Sequence, residues 1–249
     1  MTELFVLFFV PFIGTMLGSA AVFFLPKGLG VKTEKVVLGF ASGVMIAASV
    51  WSLLLPAIES SSYYTAAFGF LLGIIFLLAL DFVIPHLHPH AEAPEGPKSK
   101  ISKSILLIFS VTLHNIPEGM AVGAAAAVSF ATGSPVPMAS ALALSIGIAL
   151  QNLPEGMVVA MPLLENGKKK WKAFGLGTLS GIVEPIGSFV AFIFVAKVTS
   201  LLPVLLSFAA GAMIYVVSQE LIPQAKSRIG TAGTAVGFAL MMLLDVAMG

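Results

Sequence analysis

The stretch LHNIPEG, residues 113–119, lies within a long apolar run and decides how the whole chain is interpreted. His114 and Glu118 are four residues apart, so their side chains share one face of an α-helix. Pro117 between them removes a backbone N–H, which frees the carbonyl of Leu113 and kinks the helix. A carboxylate at mid-membrane depth costs about 2.5–3.5 kcal/mol. The stretch therefore predicts a functional polar site inside an apolar helix.

The composition predicts an all-α polytopic membrane protein. Of the 249 residues, 58% are hydrophobic and 10% are charged, and the mean hydropathy is +1.02. The net charge of +1 and the scattered basic residues argue against a nucleic-acid partner. The chain has no cysteine, which excludes disulfides, thiolate ligands and thiol catalysis. A bound metal therefore needs nitrogen or oxygen ligands, and membrane lipid surrounds the protein.

Apolar runs of membrane-spanning length predict eight helices within one transporter domain, residues 1–249. The predicted spans are 4–25, 35–56, 66–85, 103–128, 138–163, 172–196, 203–223 and 229–247. Lys and Arg concentrate in loops one, three, five and seven, which the positive-inside rule places in the cytoplasm. The N- and C-termini then both lie on the outer side of the cell (inner) membrane. The first span has no basic residue before it, so it is predicted to be a retained helix.

A first internal echo links spans four and five. The sequence QNLPEGM at 151–157 repeats HNIPEGM at 114–120. These two spans cross the membrane in opposite directions. A repeat carried on oppositely directed helices is typical of alternating-access transporters, which are built as inverted repeats.

A second echo links spans two and seven, which also run in opposite directions. The sequence FASGVMI at 40–46 resembles FAAGAMI at 208–214, and each is followed by a proline, Pro56 or Pro223. Chance recurrence is a real alternative for this pair alone, because membrane helices reuse few residue types.

The candidate ligands of a metal site lie on spans four, five and six. They are His114, Asn115, Glu118, Gln151, Asn152, Glu155 and Glu184. Pro185 is expected to leave the carbonyl of Gly181 without a helical donor. Imidazole with carboxylate and amide oxygens favours Zn²⁺, Fe²⁺, Mn²⁺ or Cd²⁺ over Na⁺ or K⁺. The alternative is an interhelical hydrogen-bond network, which suits the asparagines but not three glutamates in spans without lysine or arginine.

Further candidates lie toward the cytoplasmic ends. Asp81 and Glu220 form a candidate exit site, with a simple interfacial carboxylate as the alternative for Asp81. The cytoplasmic loop 86–102 carries His86, His88 and His90, which are either a metal relay or incidental histidines in a solvated loop. Met45 is a candidate soft ligand, although a methionine in a membrane core more often serves packing. Asp245 is predicted to be an interfacial carboxylate.

The spans and motifs resemble the ZIP (Zrt/Irt-like) family of divalent-metal transporters, in particular its GufA-like branch. The resemblance covers the whole chain, and the sequence HNIPEG at 114–119 is its most specific part. It implies a ZIP-like helical bundle with a principal transport site made of His114, Glu118, Gln151 and Glu155. It further implies a second, weaker site at Asn115, Asn152 and Glu184, and an exit site at Asp81, Gln219 and Glu220.

The resemblance also implies an elevator mechanism and a homodimer. Spans one, four, five and six form a transport bundle that slides against a scaffold of spans two, three, seven and eight. Many family members have charged or histidine ligands in span five, where this chain has the neutral Gln151 and Asn152. The lack of an anionic ligand at these positions predicts a weakened second site.

These observations together predict an uptake transporter for zinc, with breadth toward Cd²⁺, Fe²⁺ or Mn²⁺, and no enzymatic cofactor. A channel for metal or protons that uses the same carboxylates is the alternative. A zinc protease is not supported, because no His-Glu-x-x-His stretch is present. The inverted repeat counts against a sensor that binds metal without moving it.

Overall fold

The computed structural model describes residues 2–25, 29–87, 96–97, 101–132 and 135–248, without the side chains of 131, 132 and 135–137. Within this part the fold is all-α, with eight helices long and apolar enough to cross a membrane. They are α1 (Thr2–Phe23), α2 (Val31–Glu59), α3 (Tyr63–Val83), α4 (Lys103–Phe130), α5 (Met138–Glu165), α6 (Lys170–Lys197), α7 (Thr199–Ala225) and α8 (Arg228–Met248). The predicted spans are confirmed, with ends that differ by at most four residues.

Local sequence sets the helix ends. The Ser62 hydroxyl caps α3 by accepting a hydrogen bond from the Thr65 backbone N–H at 3.2 Å. Helix α5 ends where Gly167 adopts a φ of +80°, a conformation that glycine reaches without steric cost. The Lys168 N–H then bonds the Leu163 carbonyl at 3.1 Å, which closes a Schellman motif. The lysine-rich loop that precedes α6 begins at this turn.

Helices α2 and α7 each contain one π-helical turn, at Ser49–Leu54 and Val217–Leu221. Each turn ends two residues before a proline, Pro56 in α2 and Pro223 in α7. A proline cannot donate its own backbone hydrogen bond, and a wide turn accommodates the resulting irregularity. The shared position of these turns supports the predicted relation between the two helices.

The packing of the helices follows an inverted repeat. Helix α1 packs on α5 as α6 packs on α4, and α2 packs on α8 as α7 packs on α3. A Cβ atom on Gly119 would lie 2.2 Å from the Glu184 carbonyl oxygen, and one on Gly156 would lie 2.2 Å from that of Thr15. Both glycines belong to the repeated motif, so the motif itself provides the close approach of each helix pair.

These contacts divide the helices into two groups. One contains α1, α4, α5 and α6, and the other contains α2, α3, α7 and α8. The groups meet where α5 packs on α2 and α4 packs on α7. Met45 is fully buried in an apolar cluster, which is the packing role that the sequence offered as the alternative to a soft metal ligand.

We call the side that carries the α1–α2, α3–α4, α5–α6 and α7–α8 loops the lysine-rich side.

Candidate metal site between the helices

The imidazole of His114 lies at the boundary between the two helix groups. It is 6% exposed, and its Nδ1 atom is 3.0 Å from Oε1 of Glu220 in α7. Glu220 is 5% exposed and belongs to the π-helical turn of α7. The sequence predicted both residues as metal ligands at separate stations, and the structure brings them into direct contact.

Glu118 links the two copies of the repeated motif. Its Oε1 atom accepts a hydrogen bond of 2.9 Å from Nε2 of Gln151 in α5. Glu118 is 1% exposed and Gln151 is fully buried. Gln151 uses its amide nitrogen to donate to Glu118. The amide oxygen of Gln151 takes no part in this bond, so it remains available for another partner.

Glu155 lies on α5 beside the His114 and Glu220 pair. It is 9% exposed and lines a small cavity together with both of these residues. The cavity therefore brings the carboxyl groups of Glu155 and Glu220 and the imidazole of His114 to the same small space. A cation held between these groups would relieve the repulsion between the two carboxylates.

Glu184 forms the centre of a buried hydrogen-bond cluster. Its Oε1 atom accepts hydrogen bonds from the Thr15 hydroxyl at 2.8 Å and from the Asn115 amide at 3.2 Å. Its Oε2 atom accepts one from the Asn152 amide at 2.8 Å. The two asparagines therefore direct N–H groups at Glu184, as in the interhelical network that the sequence offered as an alternative. This arrangement joins α1, α4, α5 and α6.

Helix α6 is interrupted just before Glu184, at Gly181 and Ile182. The expectation that the Gly181 carbonyl lacks a donor is wrong, because it accepts a hydrogen bond of 3.0 Å from the Glu184 N–H. The bond runs over three residues and not four, so the tight turn restores the donor that Pro185 removes.

Four side-chain oxygen atoms in this region are buried without a hydrogen-bond partner among the described residues: Oδ1 of Asn115, Oε2 of Glu118, Oε1 of Gln151 and Oδ1 of Asn152. Each unpaired buried polar atom costs about 1–3 kcal/mol. Carboxylate and amide oxygens are ligands that divalent cations accept. These four atoms therefore fit a metal ion. Across the described ranges, no three His, Asp or Glu side chains converge on one point.

The predicted exit residues lie in different surroundings. Asp81, at the end of α3, accepts a hydrogen bond from the Tyr215 hydroxyl, and its Oδ1 atom is 3.6 Å from Nε2 of His86. His86 is 1% exposed, so it is buried and not solvated. Gln219 is exposed, whereas Glu220 faces His114. The remaining loop histidines, His88 and His90, lie outside the described residues.

The sequence missed several polar partners. The sequence did not single out Thr15, although its hydroxyl donates a hydrogen bond to the carboxyl group of Glu184. Gln224 lines the cavity beside His114, and its buried Oε1 atom has no hydrogen-bond partner in the part of the chain that the structure describes. Its position four residues after Glu220 places both on one helix face, a signal that the sequence did contain.

Asp245 also has a specific partner, because its Oδ1 atom accepts a 2.5 Å hydrogen bond from the Ser52 hydroxyl. The contact joins α8 to α2 as the Tyr215 bond to Asp81 joins α7 to α3. Asp81 and Asp245 each follow by eight residues a glycine, Gly73 or Gly237, that meets the matching carbonyl in α7 or α2. The inverted repeat therefore relates these two polar contacts as well as the packing of the helices.

The fold and the site together define a helical membrane protein built as an inverted repeat around buried metal-type ligands. A family model described as "ZIP Zinc transporter" matches residues 98–245. The zinc transporter ZIPB of Bordetella bronchiseptica is 36% identical, over 96% of this chain and 79% of the relative. The zinc transporter GufA of Myxococcus xanthus is 34% identical, over 95% of this chain and 96% of the relative. Human zinc transporter ZIP11 is 33% identical, over 85% of this chain and 87% of the relative.

The chain belongs to the ZIP zinc transporter family. The predicted resemblance is therefore confirmed over nearly the whole length of the protein.

Proposed function

We propose that this chain takes up Zn²⁺ into the cytoplasm as a carrier, with His114, Glu118, Gln151 and Glu155 as the principal transport site. The observation that carries this proposal is the set of buried, unpaired oxygen atoms where the two copies of the motif meet. The zinc named in the three relatives supports the same ion. The nitrogen and oxygen donors also suit Cd²⁺, Fe²⁺ and Mn²⁺.

Asn115, Asn152 and Glu184 provide the second, weaker site of this proposal. Both asparagines are neutral, so the site has only one carboxylate of its own. In the present arrangement that carboxylate accepts three hydrogen bonds. A metal there must displace amide donors, which lowers its affinity relative to the principal site.

The transport movement proposed is an elevator-type slide of α1, α4, α5 and α6 against α2, α3, α7 and α8, within a homodimer in the lipid bilayer. The packing supports this division, because each helix has its main neighbour within its own group. The lysine-rich side faces the cytoplasm in this proposal, and both termini face outward. The contact between His114 and Glu220 crosses the sliding boundary, so it must open during each cycle.

The test is zinc uptake into vesicles that contain the purified full-length protein, with a panel of divalent ions and an imposed pH gradient. We expect the wild type to show saturable uptake, and His114→Ala and Glu118→Gln to abolish it. Thr112→Ala is the matched control, because Thr112 is on the same helix and its hydroxyl donates to the nearby Ile108 carbonyl at 2.7 Å.

Uptake by His114→Ala at the wild-type rate would refute the site. A flux that rises linearly with metal concentration would instead support the alternative, a metal or proton channel built on the same carboxylates. Size-exclusion profiles of each variant show whether the protein remains folded.

A further inference from the structure

A larger cavity, of about 350 Å³, lies between the two helix groups toward the side opposite the lysine-rich side. Helices α2 and α8 line one wall with Trp51, Ser52 and Asp245, and α4 and α5 line the other with Ala125 and Ala141. Cavities that bind small organic molecules have volumes of about 300–1,000 Å³ and are mostly apolar. This cavity therefore has a suitable size, and none of its described lining residues belongs to the proposed transport site.

Helix α2 presents one row of side chains to this cavity. Trp51, Leu55 and Glu59 all line it, and they follow one another at intervals of four residues, so they share a helix face. Trp51 and Ser52 belong to the π-helical turn, a type of turn that is frequent at functional sites. The Trp51 indole is held by an edge-to-face contact with Phe238 of α8, with 5.3 Å between the ring centroids. It therefore offers a fixed aromatic surface to a ligand.

Two carboxyl groups give the cavity its charge. Asp245 is partly buried, and its Oδ1 atom accepts the 2.5 Å hydrogen bond from the Ser52 hydroxyl. Glu59 is exposed, so its carboxyl group lies at the rim of the cavity. No lysine, arginine or histidine is among the described residues that line it. The cavity is therefore complementary to a positively charged ligand.

The lining favours an organic cation over a divalent metal ion. A divalent metal ion takes four or more nitrogen or oxygen ligands, whereas much of this wall is apolar, including Leu144 and Leu206. Within the described ranges, no three His, Asp or Glu side chains converge here. An ammonium group needs less, because one carboxylate and the face of an indole ring both attract it. The apolar residues of the wall can then bury the rest of an organic molecule.

We propose that this cavity binds an organic monocation, an ammonium group on an apolar body, and that the bound cation inhibits zinc uptake. The ammonium group lies between Asp245 and Trp51, and the apolar body packs against Ala141 and Leu144. The two walls belong to different helix groups, so the ligand binds only the arrangement that places the walls at this separation. Its binding stabilises that arrangement and opposes the slide. The inhibition rests on the proposed function, since it requires the groups to move.

The first experiment measures binding without transport, using the fluorescence of Trp51 in the purified full-length protein. Trp171→Phe removes the other of the two tryptophans and provides the background for every variant. The probe is phenylbutylammonium, and phenylbutanol is its uncharged counterpart of nearly the same shape. We expect a saturable change with phenylbutylammonium, and binding of phenylbutanol at least about tenfold weaker, as for loss of a hydrogen bond between charged groups.

Asp245→Asn should raise the half-saturating concentration of phenylbutylammonium by about tenfold and leave that of phenylbutanol unchanged. The asparagine oxygen still accepts the hydrogen bond from Ser52, so the contact between α8 and α2 is kept. Glu3→Gln is the matched control and retains the affinity, because Glu3 is an exposed carboxylate near the N-terminus that does not line the cavity. The comparison of the two compounds needs no cavity variant, so it decides the site even where Asp245→Asn does not fold.

The second experiment measures the initial rate of zinc uptake into vesicles with increasing phenylbutylammonium. We expect inhibition in the wild type, and a half-inhibiting concentration about tenfold higher in Asp245→Asn. Equal binding of the two compounds, or unchanged affinity in folded Asp245→Asn, would overturn the site. Binding without inhibition of a wild type that transports zinc would overturn the inhibitory role. A wild type that takes up no zinc would refute the proposed function and the inhibition with it, whereas the fluorescence titration would still decide the site.

Discussion

Replacement of Gly119 by alanine tests the close approach of α4 to α6. The added Cβ atom would lie 2.2 Å from the carbonyl oxygen, 2.8 Å from Cα and 2.9 Å from the carbonyl carbon of Glu184. All three are backbone atoms, so no side-chain rotation relieves the overlap. An ordinary contact begins near 3.4 Å, and the two helices must therefore separate. The displacement also moves the Glu184 cluster that joins four helices.

The magnitude follows from two opposing effects. Overpacking costs up to about 3 kcal/mol, and alanine gains about 1 kcal/mol over glycine in helix propensity. Gly119→Ala should therefore lose about 2 kcal/mol of stability. Gly175→Ala is the matched control on α6, because a Cβ atom there meets nothing within 4 Å. It should be neutral or more stable than the wild type by up to about 1 kcal/mol.

The assay is thermal unfolding of both variants in the same detergent, followed by the fluorescence of Trp51 and Trp171. We expect the midpoint of Gly119→Ala to fall clearly below that of the wild type and that of Gly175→Ala. Uptake by Gly119→Ala should also decrease, since the helix that carries Glu184 is displaced. A midpoint for Gly119→Ala equal to or above that of Gly175→Ala would refute the packing argument.

Three further predictions concern the site. Thr15→Val removes the hydroxyl that donates to Glu184 and should lower the free energy of unfolding by about 1–2 kcal/mol, whereas Thr15→Ser should restore it. Equal midpoints of thermal unfolding for the two variants would contradict this role. Asn152→Asp adds an anionic ligand beside Glu184, so equilibrium dialysis should detect more bound zinc per chain than in the wild type; unchanged stoichiometry would count against a second site. Zinc affinity should fall as the pH decreases, because protons compete for His114, Glu118 and Glu155; an affinity independent of pH between about 5 and 7 would exclude this competition.

The fold was largely predictable because membrane helices are encoded by length and hydropathy. Eight apolar runs, separated by lysine-bearing loops, located every span to within four residues at each end. The repeated motifs at 114–120 and 151–157 also indicated the inverted arrangement. The π-helical turns were not predictable, because a wide turn depends on the packing around Pro56 and Pro223 and not on a residue pattern.

The candidate site residues could be selected from the sequence, whereas the groups that they contact could not. His114, Glu118 and Glu155 stand out because carboxylates and imidazoles are costly in an apolar span. Which groups they contact depends on how helices far apart in sequence pack together. The sequence could not indicate that Thr15 bonds Glu184, which is 169 residues away in the chain. Nor could it indicate that the amide nitrogen of Gln151 donates to Glu118.

The wide turn of α2 has a consequence for the length of the chain. A π-helical turn accommodates one more residue than an α-helical turn over the same path, and each residue of an α-helix rotates the side chains by about 100°. Deletion of one residue within Ser49–Leu54 would restore α-helical phase while keeping the span nearly as long. The residues after the deletion, including Pro56 and Glu59, would keep the helix faces that they have now, because an α-helical turn would cover the path of the wide turn. Homologues that differ in length by one residue here would therefore need to be aligned by helix face and not by sequence spacing.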